Sequence, residues 1–329
     1  MRRTWEIAGA SSEVVGGAGE PVRSVALTLV AGRVDVVAQP GTDSARYEVH
    51  DVTGLPLVAS WDDGQLRLEH HKELQGHLLD VVKGFLTSTR PLSATITLTV
   101  PAGARVTVNT VNASVFVAGV EGDVSINTVS GATSLSRLAG RVDVKTVSSG
   151  IEASGLRGEL KSKTVSGRLT VDDSPLRSAK IATVSGAVLL DLSGASCLVT
   201  ANGVSGDVTV RLPSGSGFDV TGASTSGHVV VDGHTLSGGS TGEKGGHRSE
   251  GDRTFAIKAR TVSGNVVVLR DTPLGAWPEA PGAGTRPLRD GDGDDAGTHD
   301  ADGVQDVRPS DRRNGTGNSG TSVDPEGGV

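Results

Sequence analysis

A tetrapeptide of the form Thr-Val-Ser-Gly returns along this chain at a nearly constant step. Its threonine falls at Thr110 (as Thr-Val-Asn-Ala), Thr128, Thr146, Thr164, Thr183 and Thr261, and the first five are separated by 18, 18, 18 and 19 residues. Degenerate copies stand at residues 203–206 and 224–227, and residues 29–32 fit the same frame. A fixed period constrains the fold before any local propensity does.

With the threonine as position t, apolar or small residues occupy t−4 and t−2: Val106 and Val108, Val124 and Ile126, Val142 and Val144, Ala179 and Ile181, Ile257 and Ala259. That is the two-residue alternation of a strand with one buried face. Positions t+5 and t+7 are apolar again, as in Val115 and Val117, Leu169 and Val171, Val208 and Val210, and Val266 and Val268. The two sets have opposite parity, so the chain must change faces at the motif through a corner or bulge between Thr and Val. The Ser-Gly that follows supplies the tight backbone. A Val or Leu at t+10 (Val120, Leu138, Leu156) and a Gly at t+12 (Gly122, Gly140, Gly158) close the unit.

Two strands in about 18 residues cannot bury an apolar face alone, so the units must stack. The expected fold is therefore all-β: a single-chain β-solenoid, β-helix-like, whose rungs lie roughly 4.8 Å apart. A propeller blade would need a repeat of about 40 residues. With aromatics at only 2% and 47 glycines, a Val/Leu core of thin cross-section fits the composition.

The Thr-Val-Ser-Gly repeats, with SVALTLVAGRVDVVA near the start and ARTVSGNVVVLR near the end, resemble the bacterial family labelled "putative adhesin" over about residues 20–270. The resemblance implies a β-strand-repeat domain of unknown function. It implies no catalytic residues to carry over.

Three segments stand outside the repeat. Residues 1–20 read as a lead-in to a repeat domain spanning 21–270. Within residues 72–86, Leu74, Leu78, Val81, Val82 and Phe85 fall on one helical stripe. A helical insert there reads as a cap over an open end of the stack, with an interfacial membrane or partner helix as the alternative. Residues 237–253 are Gly-rich and polar and read as a flexible loop. The Gly-Gly-Ser-Thr-Gly string around Ser240 lacks the strand-turn-helix setting of a nucleophile elbow, and Glu243 interrupts the Gly-Lys of a phosphate loop. Residues 271–329 hold 12 acidic and 5 basic residues, which accounts for the whole net charge of −7, and read as a disordered acidic tail. Asp290, Asp292 and Asp294 have calcium-loop spacing, but Asp295 stands where Gly is needed and Ala301 where Glu is needed.

These features set the functional expectations. Cys197 is the only cysteine, which excludes an internal disulfide and a cysteine metal cluster. His228 and His234 lack a third ligand at metal spacing, so neither metal nor cofactor is expected. No apolar run reaches 18 residues, and MRRTWEIAGASSEVV has no apolar signal core, so the expectation is a cytoplasmic protein.

A carbohydrate-active β-helix enzyme would need paired carboxylates at a defined separation. The outward slots of the first strand instead read Ser125, Asn127, Asp143, Lys145, Lys161, Lys163 and Lys180. The expected role is thus a non-catalytic scaffold or binding protein with a protein, glycan or lipid partner and no nucleic acid. A self-assembling scaffold is the alternative. The candidate anion or partner surface is Lys145, Lys161, Lys163 and Lys180.

Overall fold

In the computed structural model, residues 2–70, 92–237 and 244–271 are described. Every regular element among them is a strand. The first part comprises β1 (Arg3–Ile7), β2 (Ser11–Gly16), β3 (Ser24–Gln39), β4 (Ser44–Thr53), β5 (Leu57–Asp62), β6 (Gln65–His70), β7 (Ser93–Pro101) and β8 (Arg105–Ala118). Next come strand pairs, one pair per repeat. These are β9 (Val124–Ser130) and β10 (Thr133–Ser136), β11 (Ala139–Ser148) and β12 (Ile151–Ser154), and β13 (Arg157–Ser166) and β14 (Leu169–Ser174). β15 (Leu176–Ser185) with β16 (Val188–Leu192), and β17 (Cys197–Ser205) with β18 (Val208–Leu212), continue the series. The last part comprises β19 (Phe218–Ser224), β20 (Val229–Val231), β21 (His234–Thr235), β22 (Lys244–Glu250), β23 (Phe255–Thr261) and β24 (Val266–Arg270).

Each repeat gives one strand to each of two facing layers. The first layer runs β1-β5-β6-β3-β8-β9-β11-β13-β15-β17-β23-β19-β22. The second runs β2-β4-β7-β3-β8-β10-β12-β14-β16-β18-β24-β20-β21. The long strands β3 and β8 turn the corner without a break and serve both layers. Between β3 and the β19–β20 rung all pairing is parallel, with register shifts only at Gly158/Glu159 and Val171/Ser174, so Thr110, Thr128, Thr146, Thr164 and Thr183 stack directly on one another. The t−4, t−2, t+5 and t+7 residues of both layers meet in one apolar cluster.

The corner is built over four residues. Thr at t is buried, Val at t+1 is skipped by the ladder, and Ser at t+2 pairs again, as in Thr146↔Thr164 and Ser148↔Ser166. From Val147 onward both Val and Ser face solvent, which puts them on the outside of the bend. The face change is completed at t+3. A Cβ on Gly186 would lie 1.9 Å from the Gly167 carbonyl oxygen, at φ +150°. Gly206 repeats this against Gly186 at 2.2 Å and φ +141°. Backbone from the next rung fills the space where a side chain would go. Only Ser149 departs from Gly in the series from Gly131 to Gly206, and its hydroxyl donates to the Gly131 carbonyl.

Chain order and spatial order part company at both ends. The ARTVSG rung β23–β24 stacks on β17–β18, and the earlier β19–β20 rung lies outside it. At the other end β3, early in the chain, lies inside β6 and β7. Beyond them both layers finish on antiparallel strands: β5 and β1, β4 and β2, β22, and β21. Residues 1–20 are therefore not a separate lead-in, since β1 and β2 lie within them. Likewise residues 244–250, read from sequence as loop, form β22, because they pair with β19 from Ser224↔Lys244 to Phe218↔Glu250. The proposed cap helix with Leu74, Leu78, Val82 and Phe85, the Ser240 string and the acidic tail beyond Asp271 lie outside the described residues.

Polar side chains fasten both ends. The Trp5 indole donates to the Tyr47 hydroxyl at 2.7 Å, and that hydroxyl donates to Glu13 at 2.7 Å, tying β1 to β4 and β2 across the layers. Burial first, then the bond to Glu13, pushes the Tyr47 hydroxyl up to about 12. At the far end Arg270 bonds Asp232 and, at 2.9 Å, Glu250, and its guanidinium sits 5.3 Å from the Phe218 ring centre. His70, the last residue of β6, is buried with no hydrogen-bond partner for either ring nitrogen among the described residues.

Three tests follow from this packing. Val144→Asp places a charge in the stacked core and should cost at least about 3 kcal/mol, whereas exposed Lys145→Asp should stay within about 0.5 kcal/mol by urea denaturation. Gly186→Ala should cost about 2–4 kcal/mol, since both φ and the Gly167 carbonyl oppose a methyl group. Burial lowers His70 from 6.5 to about 4. Its folded form resists protonation, so the stability it contributes is full above pH 6.5 and is lost as pH falls from 6.5 towards about 4. A pH series of thermal midpoints should show that slope in the native chain and a flatter one in His70→Leu.

Candidate anion-binding face

Strand alternation places t−3 and t−1 outward on the first layer, and in-register stacking turns each into a column. The t−1 column reads Lys145, Lys163, Ala182, Asn202 and Arg260 over five successive rungs. The t−3 column reads Asp143, Lys161, Lys180, Thr200 and Lys258 over the same rungs. The four lysines expected from sequence are thus brought onto one surface, with Lys145 beside Lys163 and Lys161 beside Lys180. Lys258 and Arg260 join them. Their slots are the same ones in the Thr261 frame, but more than forty residues of intervening chain hide that they stack next to Thr200 and Asn202.

One acid stands among six cations in these columns. Lys161 Nζ lies 3.6 Å from Asp143 Oδ2, and both remain solvent-accessible. Among the described residues no ion-pair partner lies within reach of Lys145, Lys163, Lys180, Lys258 or Arg260. One column further out the charges are matched, with Arg141 Nε 3.4 Å from Glu159 and Arg105 Nη2 3.5 Å from Asp123. A shallow hollow of about 300 Å³ lies between Arg141, Asp143, Glu159, Lys161, Ser178 and Lys180. Its walls set the cations Arg141, Lys161 and Lys180 beside the carboxylates of Asp143 and Glu159, and the ammonium and guanidinium donors suit phosphate, sulfate or carboxylate groups.

The Toastrack DUF4097 family matches residues 26–269, the whole stack from β3 to β24. The chain belongs to that family. Among solved structures, it is similar to a "putative cell adhesion protein" from Clostridium sporogenes, at 10% identity and a TM-score of 0.28, covering 80% of this chain and 100% of that one. It is also similar to a "putative lipid binding protein" from Parabacteroides distasonis, at 11% identity and a TM-score of 0.35, covering 80% of this chain and 97% of that one. No curated protein matches the chain.

Elsewhere in this Toastrack stack the titratable groups are arranged differently. On the second layer Asp191 sits near Asp271, Asp172 and Asp173, with Arg211 opposing them. Burial first, then the charge of Asp271, raises the Asp191 carboxyl above its ordinary value. No group of three or more His, Cys, Asp or Glu side chains among the described residues is placed to hold a metal ion. His234 Nδ1 lies 2.9 Å from the Asp232 carbonyl oxygen. The buried Cys197 thiol is pushed up to about 12 by burial, which leaves it without thiolate character at neutral pH.

The Asp191 environment gives a signed test. A carboxyl raised in the folded state contributes stability only when protonated, and that contribution is lost as pH rises through its folded value. Asp191→Asn should therefore raise the thermal midpoint at neutral pH. The gain should vanish at a pH below the ordinary carboxylate range, as read by calorimetry at the two pH values.

Proposed function

We propose that this chain is a non-catalytic β-solenoid scaffold that binds a polyanionic partner on the outer surface of its first layer. One observation carries the reading: strand register gathers Lys145, Lys163 and Arg260 in one column and Lys161, Lys180 and Lys258 in the next, against the single acid Asp143. Residues 1–270 are electrically balanced overall, so this concentration is a local arrangement and not a consequence of a basic chain. Like charges one strand apart repel by up to about 1 kcal/mol in water. A structure that only needed to stay soluble would gain by alternating them with acids, as the Arg141–Glu159 column does.

The self-assembling alternative is disfavoured by the ends. Any strand edge is a template for further strands, and short edges are poor ones; these layers end in strands of two to seven residues. Recognition of a partner by the side of the stack is the reading that remains.

The test is chromatography of the full chain on heparin across a salt series. Wild type should be retained at low salt and released as screening grows. Lys161→Glu/Lys163→Glu should elute at clearly lower salt, and Lys258→Glu/Arg260→Glu should do the same although it lies far off in sequence. Failure of wild type to bind at the lowest salt would refute the anion-binding face.

A further inference from the structure

The corner next to the cationic columns has a property that the core does not require. Val147, Val165, Val184, Val204 and Val262 stand at t+1 on successive rungs and are 43%, 48%, 49%, 49% and 50% exposed. Their neighbours Ser148, Ser166, Ser185, Ser205 and Ser263 stack alongside them. The result is a ridge of valines about 19 Å long at strand spacing. Isolated exposed valines need no explanation, but a contiguous row does. The strand ladder skips this position, and Thr would serve the backbone equally well.

The rungs with exposed valines are also the part of the stack that holds the outward cations. On β3 and β8 the equivalent Val30 and Val111 are buried, and the outward neighbours on β8 and β9 are neutral: Thr107, Asn109, Ser125 and Asn127. From β11 to β23, where the valines emerge, the same slots carry Lys145, Lys161, Lys163, Lys180, Lys258 and Arg260 together with Asp143, Ala182, Thr200 and Asn202. The t−1 cations Lys145, Lys163 and Arg260 sit two residues before Val147, Val165 and Val262 on the same side of the strand, so charged groups flank both ends of the apolar crest.

We infer that this crest docks the stack on an anionic phospholipid surface, valines entering the boundary between headgroups and acyl chains while the flanking cations meet the phosphates. Three features select that occupant. The charge is complementary to anionic headgroups, and long Lys and Arg stems hold their charge at the interface while apolar neighbours go deeper. The valines lie on the convex side of a bend, so two copies meeting crest to crest would touch along a line and bury little area. A fluid interface can close around a convex ridge, and it also tolerates the regular strand spacing of the charges. This inference rests on the anion-binding face, and adds to it the apolar contact that a soluble polyanion would not need.

The deciding experiment compares co-sedimentation of the full chain with vesicles of phosphatidylcholine and phosphatidylglycerol against heparin retention of the same preparations. The variants are Val165→Thr/Val184→Thr/Val204→Thr, which keeps side-chain shape, and Lys161→Glu/Lys163→Glu, each checked for an unchanged thermal midpoint. The valine variant should partition about tenfold more weakly into vesicles while eluting from heparin at the wild-type salt. The lysine variant should lose both. As a reading independent of the valine triple, Val165→Cys and Thr170→Cys are each labelled with an environment-sensitive dye, the native Cys197 being buried. Vesicles should shift the emission of the first to the blue and leave the second, on the opposite layer, unchanged. Wild type that binds heparin but not vesicles overturns the lipid inference and leaves the anion face standing, as does a valine variant that partitions like wild type or a Val165 label that does not shift. Wild type that binds neither overturns both.

Discussion

Backbone packed against backbone at the corner is the constraint on which this structure depends. At t+3 the carbonyl of one rung occupies the space a β-carbon would need on the next, 1.9 Å from the ideal position at Gly186 and 2.2 Å at Gly206. That contact fixes the rungs in register, because sliding one residue would drive a side chain into the same oxygen. Register in turn aligns every other column: Thr over Thr in the interior, Val over Val in the core, Val and Ser on the crest, and Lys beside Lys on the outer face. A one-residue slip would also carry each strand's apolar set to the solvent side. The glycine and the alternation therefore enforce the same answer by independent means, which makes a long parallel stack without an internal disulfide physically reasonable.

The ends show how such a stack avoids growing. Any ladder leaves unpaired amide and carbonyl groups on its edge strand, and the shorter that strand the fewer it offers to a further one. Here β3 and β23–β24 are drawn inside, and hairpin partners of reversed direction take the outermost places. The Trp5–Tyr47–Glu13 chain and the Arg270–Asp232–Glu250 cluster then bind those reversed strands to the layers they close. Aromatic side chains, scarce in the repeats, concentrate at these ends: Trp61, Tyr47, Phe218 and Phe255 are the largest buried ones. The regular middle fills its thin interior with Val, Leu and Ile, and larger rings are needed where the period breaks and the interior changes width.

Sequence carried the middle of this protein well. The 18-residue step and the opposite parities around the motif gave the strands, their inward faces and the stacking of Lys145 on Lys163, because each follows from spacing alone. It did not carry the ends. Nothing in ARTVSG says that its rung lies against Cys197–Ser205 instead of following Phe218–Ser224, since all copies share one pattern and any two could stack. For the same reason the spacing carries the cationic columns only as far as Lys180, and Lys258 and Arg260 join them through strand pairing alone. Residues 244–250 were read as loop because Gly245 and Gly246 mask a strand defined by its partner β19 and not by its own composition. The crest was hidden by a different ambiguity: a recurring Val reads as core, and only the geometry of the bend shows that the side chain on the outer side of a corner has nowhere to bury.

The buried threonine column shows what the stack tolerates in return for its shape. Thr110 donates to Thr128 at 2.9 Å, and Thr128 to the Ser130 carbonyl at 2.9 Å, but the hydroxyls of Thr146, Thr164 and Thr183 find no partner among the described residues. Leaving a buried hydroxyl unsatisfied costs about 1–3 kcal/mol, so valine at t would look like the more stable choice by hydrogen bonding alone. Threonine stands where the strand stops and the bend begins, an interior position from which a hydroxyl can reach a corner carbonyl, as Thr128 demonstrates. A hydroxyl there can satisfy a corner carbonyl, as Thr128 does that of Ser130, while a methyl group cannot. The interior threonine and the exterior valine are thus inverted relative to burial at the same corner. That inversion follows if the corner's interior is shaped by the needs of its own backbone and its exterior by contact with something outside the fold.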